Sequence, residues 1–116
     1  MIQLPAGAQV FIWHESISFR NGIDGLGAVV ATVMGRDPMD GAFYVFRSRS
    51  HQALRLLFHD GSGFRLAHKR LSKGTFRWWP RGDGAYSPLL IRELQILIWG
   101  GDPASGRFPA IWRKIA

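Results

Sequence analysis

Residues 53–79 read ALRLLFHDGSGFRLAHKRLSKGTFRWW, and the alternation inside this stretch decides the fold class. ALRLLFH (53–59) and FRLAHKRLS (64–72) are runs of apolar and long side chains, bounded by the turn residues DGSG (60–63) and KG (73–74), with TFRWW (75–79) following. Two such boundaries predict a three-stranded antiparallel meander. A three-residue loop over Gly61 to Gly63, with Gly63 supplying a positive φ, would pair Phe58 with Leu66 and Leu56 with His68. A bulged turn ending at Gly74 would then pair His68 with Trp78. In that register one face gathers Leu54, Leu56, Phe58, Leu66, Phe76 and Trp78. The other gathers Arg55, Arg65, Lys69 and Arg77 with Leu57 and Trp79 between them. A slip of one residue would undo this sorting.

Working outward, Gln9 to Trp13 (QVFIW) predicts a short strand after Pro5 and Gly7, and Phe43 to Arg47 (FYVFR) a second, entered from the turn DPMDG at Asp37 to Gly41. Between them Ser18 can cap a helix whose apolar residues Ile23, Leu26, Val30, Val33 and Met34 recur at helical spacing and which ends at Gly35. Gly22 and Gly25 fall on one face of that helix, where they suit close packing or the approach of a phosphate. Ser87-Pro88 predicts a cap and first-turn proline opening a helix with Leu90, Leu94, Leu97 and Ile98 on one stripe, stopped by Gly100-Gly101. Phe108, Ile111, Trp112 and Ile115 recur at helical spacing among Arg107, Arg113 and Lys114 and predict a short terminal helix. The expectation is an α+β protein with a mostly antiparallel sheet of about four or five strands and a central meander, flanked by two main helices and a short C-terminal helix.

The chain has 116 residues, which suits one domain, 1–116, and leaves no room for two. A hydrophobic fraction of 47% with 13% aromatic residues is that of a folding chain. Cysteine is absent, so disulfides, thiolate metal sites and cysteine nucleophiles are excluded, and the cytoplasm is the expected compartment. No apolar run approaches the roughly 18 residues of a membrane helix, and the N-terminus lacks the pattern of a signal peptide.

Charge is the extreme property. The chain carries 15 Lys+Arg against 8 Asp+Glu, a net +7. From Arg47 to Arg81 there are nine bases (Arg47, Arg49, Arg55, Arg65, Lys69, Arg70, Lys73, Arg77 and Arg81) and one acid, Asp60, so this segment alone nets +8. Arginine, with its planar fork, dominates, which suits phosphates and base edges. Cations crowded on neighbouring strands repel one another unless a polyanion neutralises them. The nucleic-acid-binding residues expected from this argument are Arg47, Arg49, Arg55, Arg65, Lys69, Arg70, Lys73 and Arg77, with Trp79 as a stacking residue. A solvated basic face, or a face for an acidic protein partner, is the competing reading.

Catalytic readings are weaker. Asp24, Asp60 and Glu93 would have to converge to hold paired metal ions, yet Asp37, Asp40, Asp60 and Asp83 all stand in turn motifs where aspartate is common. His14, His51, His59 and His68 show no metal-ligand spacing, and Gly61-Ser62-Gly63 reads as a turn, not a nucleophile elbow. No glycine-rich phosphate loop is present. No catalytic residue, metal or cofactor is expected.

Four stretches taken together carry a resemblance: Phe19-Arg20-Asn21-Gly22-Ile23-Asp24-Gly25-Leu26; Asp37-Pro38 through Gly41 to Tyr44-Val45-Phe46-Arg47-Ser48-Arg49; Leu56-Leu57 through Asp60-Gly61-Ser62-Gly63-Phe64; and Lys69-Arg70-Leu71-Ser72-Lys73-Gly74 with Phe76. In this order the chain resembles the TnpB accessory protein, the second reading frame, of insertion-sequence family sixty-six of bacterial transposable elements. The likeness runs from Leu4 to about Asp102 and leaves residues 103–116 as a tail. It implies a small accessory protein of transposition, encoded beside a separate transposase; the basic segment adds the expectation that it is non-catalytic and that DNA is its partner. The alternative is a protein-interaction module that assembles with the transposase without touching DNA. The resemblance brings no catalytic residues; its commonest basic positions fall on Arg20, Arg47, Arg49, Lys69, Arg70 and Lys73. Ser18, Asn21 and Arg55 depart from the family's usual Asp, basic residue and Lys.

Overall fold

The structure, a computed structural model, describes residues 7–103. The terminal helix expected over Phe108 to Ile115 lies outside the described residues. β1 (Val10–Trp13) leads through α1 (Gly22–Ala28) to β2 (Phe43–Arg47); β3 (Ala53–His59) and β4 (Phe64–Arg70) follow as a hairpin, and then come β5 (Tyr86–Leu89) and α2 (Ile91–Ile98). The sheet order is β4-β3-β2-β1-β5. Only β1 and β2 are parallel, because the helical crossover returns the chain to the end where β1 began. The fold is α+β with a mostly antiparallel five-stranded sheet, as the patterning predicts.

Strand alternation buries both faces. Val10, Ile12, Phe43, Val45, Leu54, Leu56 and Leu89 pack against Phe76, Trp79 and the α2 residues Leu94, Leu97 and Ile98. On the other side Phe11, Tyr44, Phe46 and Leu57 meet Leu26, Val30 and Met34. A sheet covered on both sides explains why β2 reads FYVF without polar alternation.

Four local expectations are corrected. First, DGSG is a four-residue loop: His59 pairs with Phe64, Phe58 with Arg65, Leu57 with Leu66 and Leu56 with Ala67, one residue away from the predicted register. Asp60 closes this loop by accepting from the Ser62 N–H and hydroxyl, both at 2.9 Å, and from the Gly63 N–H at 3.1 Å. Those donors hold its carboxyl below the usual carboxylate range. Gly61, at φ +97°, takes the left-handed position expected of Gly63.

Second, TFRWW forms no strand. Phe76 and Trp79 are both inward, 1% and 6% exposed, a spacing of three that a pleated strand cannot produce. Third, Ser87-Pro88 belongs to β5, not to a helix start. The His14 N–H donates to the Ala85 carbonyl at 2.9 Å, which sets the ladder so that the Pro88 nitrogen turns away from β1, the tolerated place for proline on an edge strand. The helix begins after it, where the Glu93 carboxylate accepts from the Leu90 N–H at 3.0 Å, and Leu90 stays 61% exposed.

Fourth, the first helix starts at Gly22, behind Asn21, and not at Ser18. A Cβ on Gly25 would collide with the Asn21 Cβ, so this glycine serves packing within its own helix. Beyond Ala28 the helix widens into a π turn over Val29–Val33, where the Met34 N–H reaches the Val29 carbonyl at 3.0 Å. The wider turn brings Met34 inward and leaves Val33 59% exposed.

The DPMDG turn anchors a polar cluster beneath β2. The Tyr44 hydroxyl donates to Asp40 Oδ2 at 2.9 Å and accepts from Arg36 Nε at 3.1 Å, while the Arg36 guanidinium lies 3.9 Å from the centre of the Phe11 ring. Burial pushes the Tyr44 phenol up to about 12. A phenol that holds its proton more tightly when folded contributes stability that is intact below its unfolded pKa, near 10, and is lost as pH rises through 12. Urea unfolding at pH 8 and pH 11.5 is expected to show the wild type losing about 2 kcal/mol more than Tyr44→Phe. Equal losses would mean that Tyr44 ionises freely.

Candidate nucleic-acid interface

One end of the sheet collects the turn after β2 and the long return after β4. Arg47 pairs with Leu54 and Ala53 with Arg70, so β2, β3 and β4 meet there. Backbone bonds tie the two loops together: Leu71 N–H to the Gln52 carbonyl at 2.9 Å and Phe76 N–H to the His51 carbonyl at 2.7 Å. Ser48 fixes the turn, its N–H donating to the Ala53 carbonyl at 2.9 Å and its Oγ accepting from the Ala53 N–H at 3.1 Å. Arg70, the last residue of β4, and Arg49, Lys73 and Arg77 on these loops are exposed. No ion pair among the described residues engages any of them.

Arg47 is the inner member. Its Nη1 donates to the Phe76 carbonyl at 2.9 Å and its guanidinium sits 4.8 Å from the centre of the Trp79 ring. Burial, and then the charge of Arg81, pull its pKa down. Arginine stays protonated nonetheless. Arg47 therefore keeps a half-buried positive charge behind the exposed ones, where low-dielectric surroundings weaken screening. Arg81, exposed and near enough to Arg47 to be felt, joins the cluster; the sequence places it in the basic segment, and only the return of the chain past Trp79 brings it to the site.

The remaining predicted residues lie elsewhere, because the register places Arg55 on one face and Arg65 and Lys69 on the other. Arg55 donates to His68 Nδ1 and to the Phe19 carbonyl, both at 3.0 Å, and covers the Phe19 ring, so it clips the loop before α1 onto the sheet. Arg65 stands by the Asp60 hairpin at the far end and approaches Asp60 at 3.7 Å. Lys69 lies 4.7 Å from the centre of the Trp99 ring, and partial burial lowers its pKa. Trp79 presents no ring to solvent: its indole N–H donates to the Trp13 carbonyl at 2.8 Å inside the core. The expected flat basic face, with Trp79 interleaved, is therefore replaced by a basic end.

Comparison with known proteins places the chain in a family. The family of IS66 Orf2-like proteins matches residues 8–107. The chain belongs to that family. Two relatives from Sinorhizobium fredii, printed as uncharacterized proteins y4jC and y4hO, are 36% identical over 102 residues and 35% identical over 101 residues. The matches cover 88% and 85% of this chain and 86% and 87% of the relatives. No solved structure matches the chain. Membership implies an accessory role in transposition, and the IS66 Orf2-like match runs a few residues past the boundary expected at Asp102.

Two histidines of this IS66 Orf2-like protein are engaged in structure. His14 bridges the Gly84 carbonyl at 2.7 Å and Ser87 Oγ at 2.8 Å. His59 accepts from the Gly61 N–H at 3.2 Å. Asp24 on α1 and Glu93 on α2 belong to helices on opposite faces of the sheet, so with Asp60 they do not converge. Among the described residues no group of three His, Asp or Glu is arranged to hold a metal ion, and no helix is long and apolar enough to cross a membrane.

Proposed function

We propose that the chain is a non-catalytic accessory factor of transposition that binds DNA through the basic end of its sheet, with Arg49, Arg70, Lys73, Arg77 and Arg81 on phosphates and Arg47 supplying a fixed positive potential behind them. The observation that carries this reading is the hydrogen-bonded joining of the 48–52 and 71–77 loops, which brings exposed cations together with no carboxylate partner among the described residues. Such a cluster costs repulsion in the free protein that a polyanion relieves. Cations gathered at a sheet end, with the Trp79 ring buried, suit the duplex backbone better than unstacked bases.

The test is fluorescence anisotropy with duplex carrying the element's terminal repeats, scrambled duplex and single strand, at several salt concentrations. Arg77→Ala is expected to reduce the slope of log K against log salt by about 0.9, the signature of one lost phosphate contact. Arg65→Ala, at the other end, is expected to leave it unchanged. If Arg65→Ala weakens binding as much as Arg77→Ala, the basic end is not the interface. If no duplex binds at low salt, DNA is not the partner, and salt-resistant co-purification with the transposase becomes the supported reading.

A further inference from the structure

β4 is an edge strand of seven residues, and among the described residues nothing pairs with its outer side. The bonds Asp60 N–H to the Gly63 carbonyl and Leu71 N–H to the Gln52 carbonyl bracket the ladder with β3. Backbone groups alternate in direction along an antiparallel strand, so Arg65, Ala67 and Lys69 bond to β3 while Phe64, Leu66, His68 and Arg70 direct their N–H and C=O groups outward. Long unpaired edges are templates for another strand unless blunted. The opposite edge is blunted, being four residues long with Pro88 in it.

Beside the β4 edge lies a groove of about 680 Å³, lined by Leu54, Leu56, Ala67, Lys69, Ile98 and Trp99. Ala67 is its small floor, and Arg65 and Lys69 flank Ala67 on the same face. A strand laid against β4 would set one large side chain over Ala67 and its second neighbours on either side against the two cations. From the edge, the groove and the charge together, we propose that β4 captures an extended segment of a partner protein bearing the pattern acid, any residue, large apolar residue, any residue, acid.

Charge selects this occupant over two others. A second copy paired antiparallel about Ala67 would oppose Arg65 to Lys69, like against like. The chain's own residues 103–116 carry Arg107, Arg113 and Lys114 and no acid. The proposal is independent of DNA binding at the sheet end, and either can fail alone.

The probe is a fluorescein-labelled Thr-Glu-Val-Leu-Val-Glu-Thr peptide, compared with a version carrying Lys for both Glu and one carrying Pro for both Val. Against the full chain, both altered peptides are expected to bind at least tenfold more weakly. Saturation with the parent peptide is expected to slow amide hydrogen exchange of Leu66 and His68 at least tenfold, leaving Ala67, already bonded to β3, unchanged. Ala67→Trp, which fills the groove, is expected to abolish the binding. The proposal is overturned if the proline peptide binds as well as the parent, since attraction would then be charge alone. It is equally overturned if the parent does not bind, if Leu66 and His68 are unchanged on saturation, or if their amides are already protected in the free chain, which would assign the edge to the chain's own termini. Protection of these amides by duplex DNA and not by peptide would overturn it as well.

Discussion

Trp79→Ala is expected to lower the unfolding free energy by about 3–5 kcal/mol, the usual cost of removing a buried aromatic side chain. The indole is 6% exposed, packs in the cluster formed by Ile12, Leu54, Leu94 and Leu97, and donates to the Trp13 carbonyl. Removing it leaves a cavity and an unpaired carbonyl, and strips Arg47 of the ring beneath its guanidinium. Because a domain of this size has about 5–15 kcal/mol in total, the variant is near the limit of folding. Trp79→Phe keeps most of the volume and loses the N–H, so about 1–2 kcal/mol is expected. Urea denaturation checks both. Had Trp79 been a stacking residue on an open face, Trp79→Ala would weaken DNA binding and leave the unfolding midpoint in place; that outcome would overturn the packing described above.

The second large effect is on binding. Replacing Arg49, Arg70, Lys73 and Arg77 together by alanine is expected to reduce the magnitude of the salt slope by about 3–4 and to weaken duplex affinity on the order of a thousandfold near 0.1 M salt. The four side chains are exposed, and none has an ion-pair partner among the described residues, so stability should change little or rise slightly as repulsion is relieved. Anisotropy and a thermal melt on the same preparation separate the two quantities. A loss of affinity without change of slope would mean that the residues act through shape and not through phosphate contacts. The control is Arg55→Ala, whose hydrogen bonds to His68 on β4 and to the Phe19 carbonyl clip the loop before α1 onto the sheet. It should cost stability before it costs affinity.

Much of the fold was legible because the strongest patterns were long or simple. FYVFR and ALRLLFH form strands over the residues that their composition indicated. The hairpin register was not legible, since DGSG serves a three-residue or a four-residue loop equally well and the choice rests on Asp60 accepting three hydrogen bonds. That single residue decides which face Arg65 and Lys69 occupy. Ser87-Pro88 misleads for a different reason: a proline that opens a helix and a proline on the outer side of an edge strand make the same local demand on φ. In TFRWW the aromatic residues suggested β structure, but Gly74 at φ +79° redirects the chain, and burial of Phe76 and Trp79 outweighs strand propensity. The site was legible as a charge excess in one segment, and its shape was not. Loops that join two hairpin ends carry no periodicity, so only the bonds from the Phe76 and Leu71 N–H groups to the His51 and Gln52 carbonyls reveal which cations are neighbours.

Titration of duplex into ¹⁵N-labelled protein asks whether the joined loops at one sheet end are a DNA-binding surface. The amides of 48–51 and 70–77, together with Arg81, are expected to shift progressively, with an effect that shrinks as salt is added, while the 35–42 and 60–65 segments at the far end stay in place. Shifts centred on the Asp60 hairpin, or a spectrum that duplex leaves untouched at low salt, would contradict it.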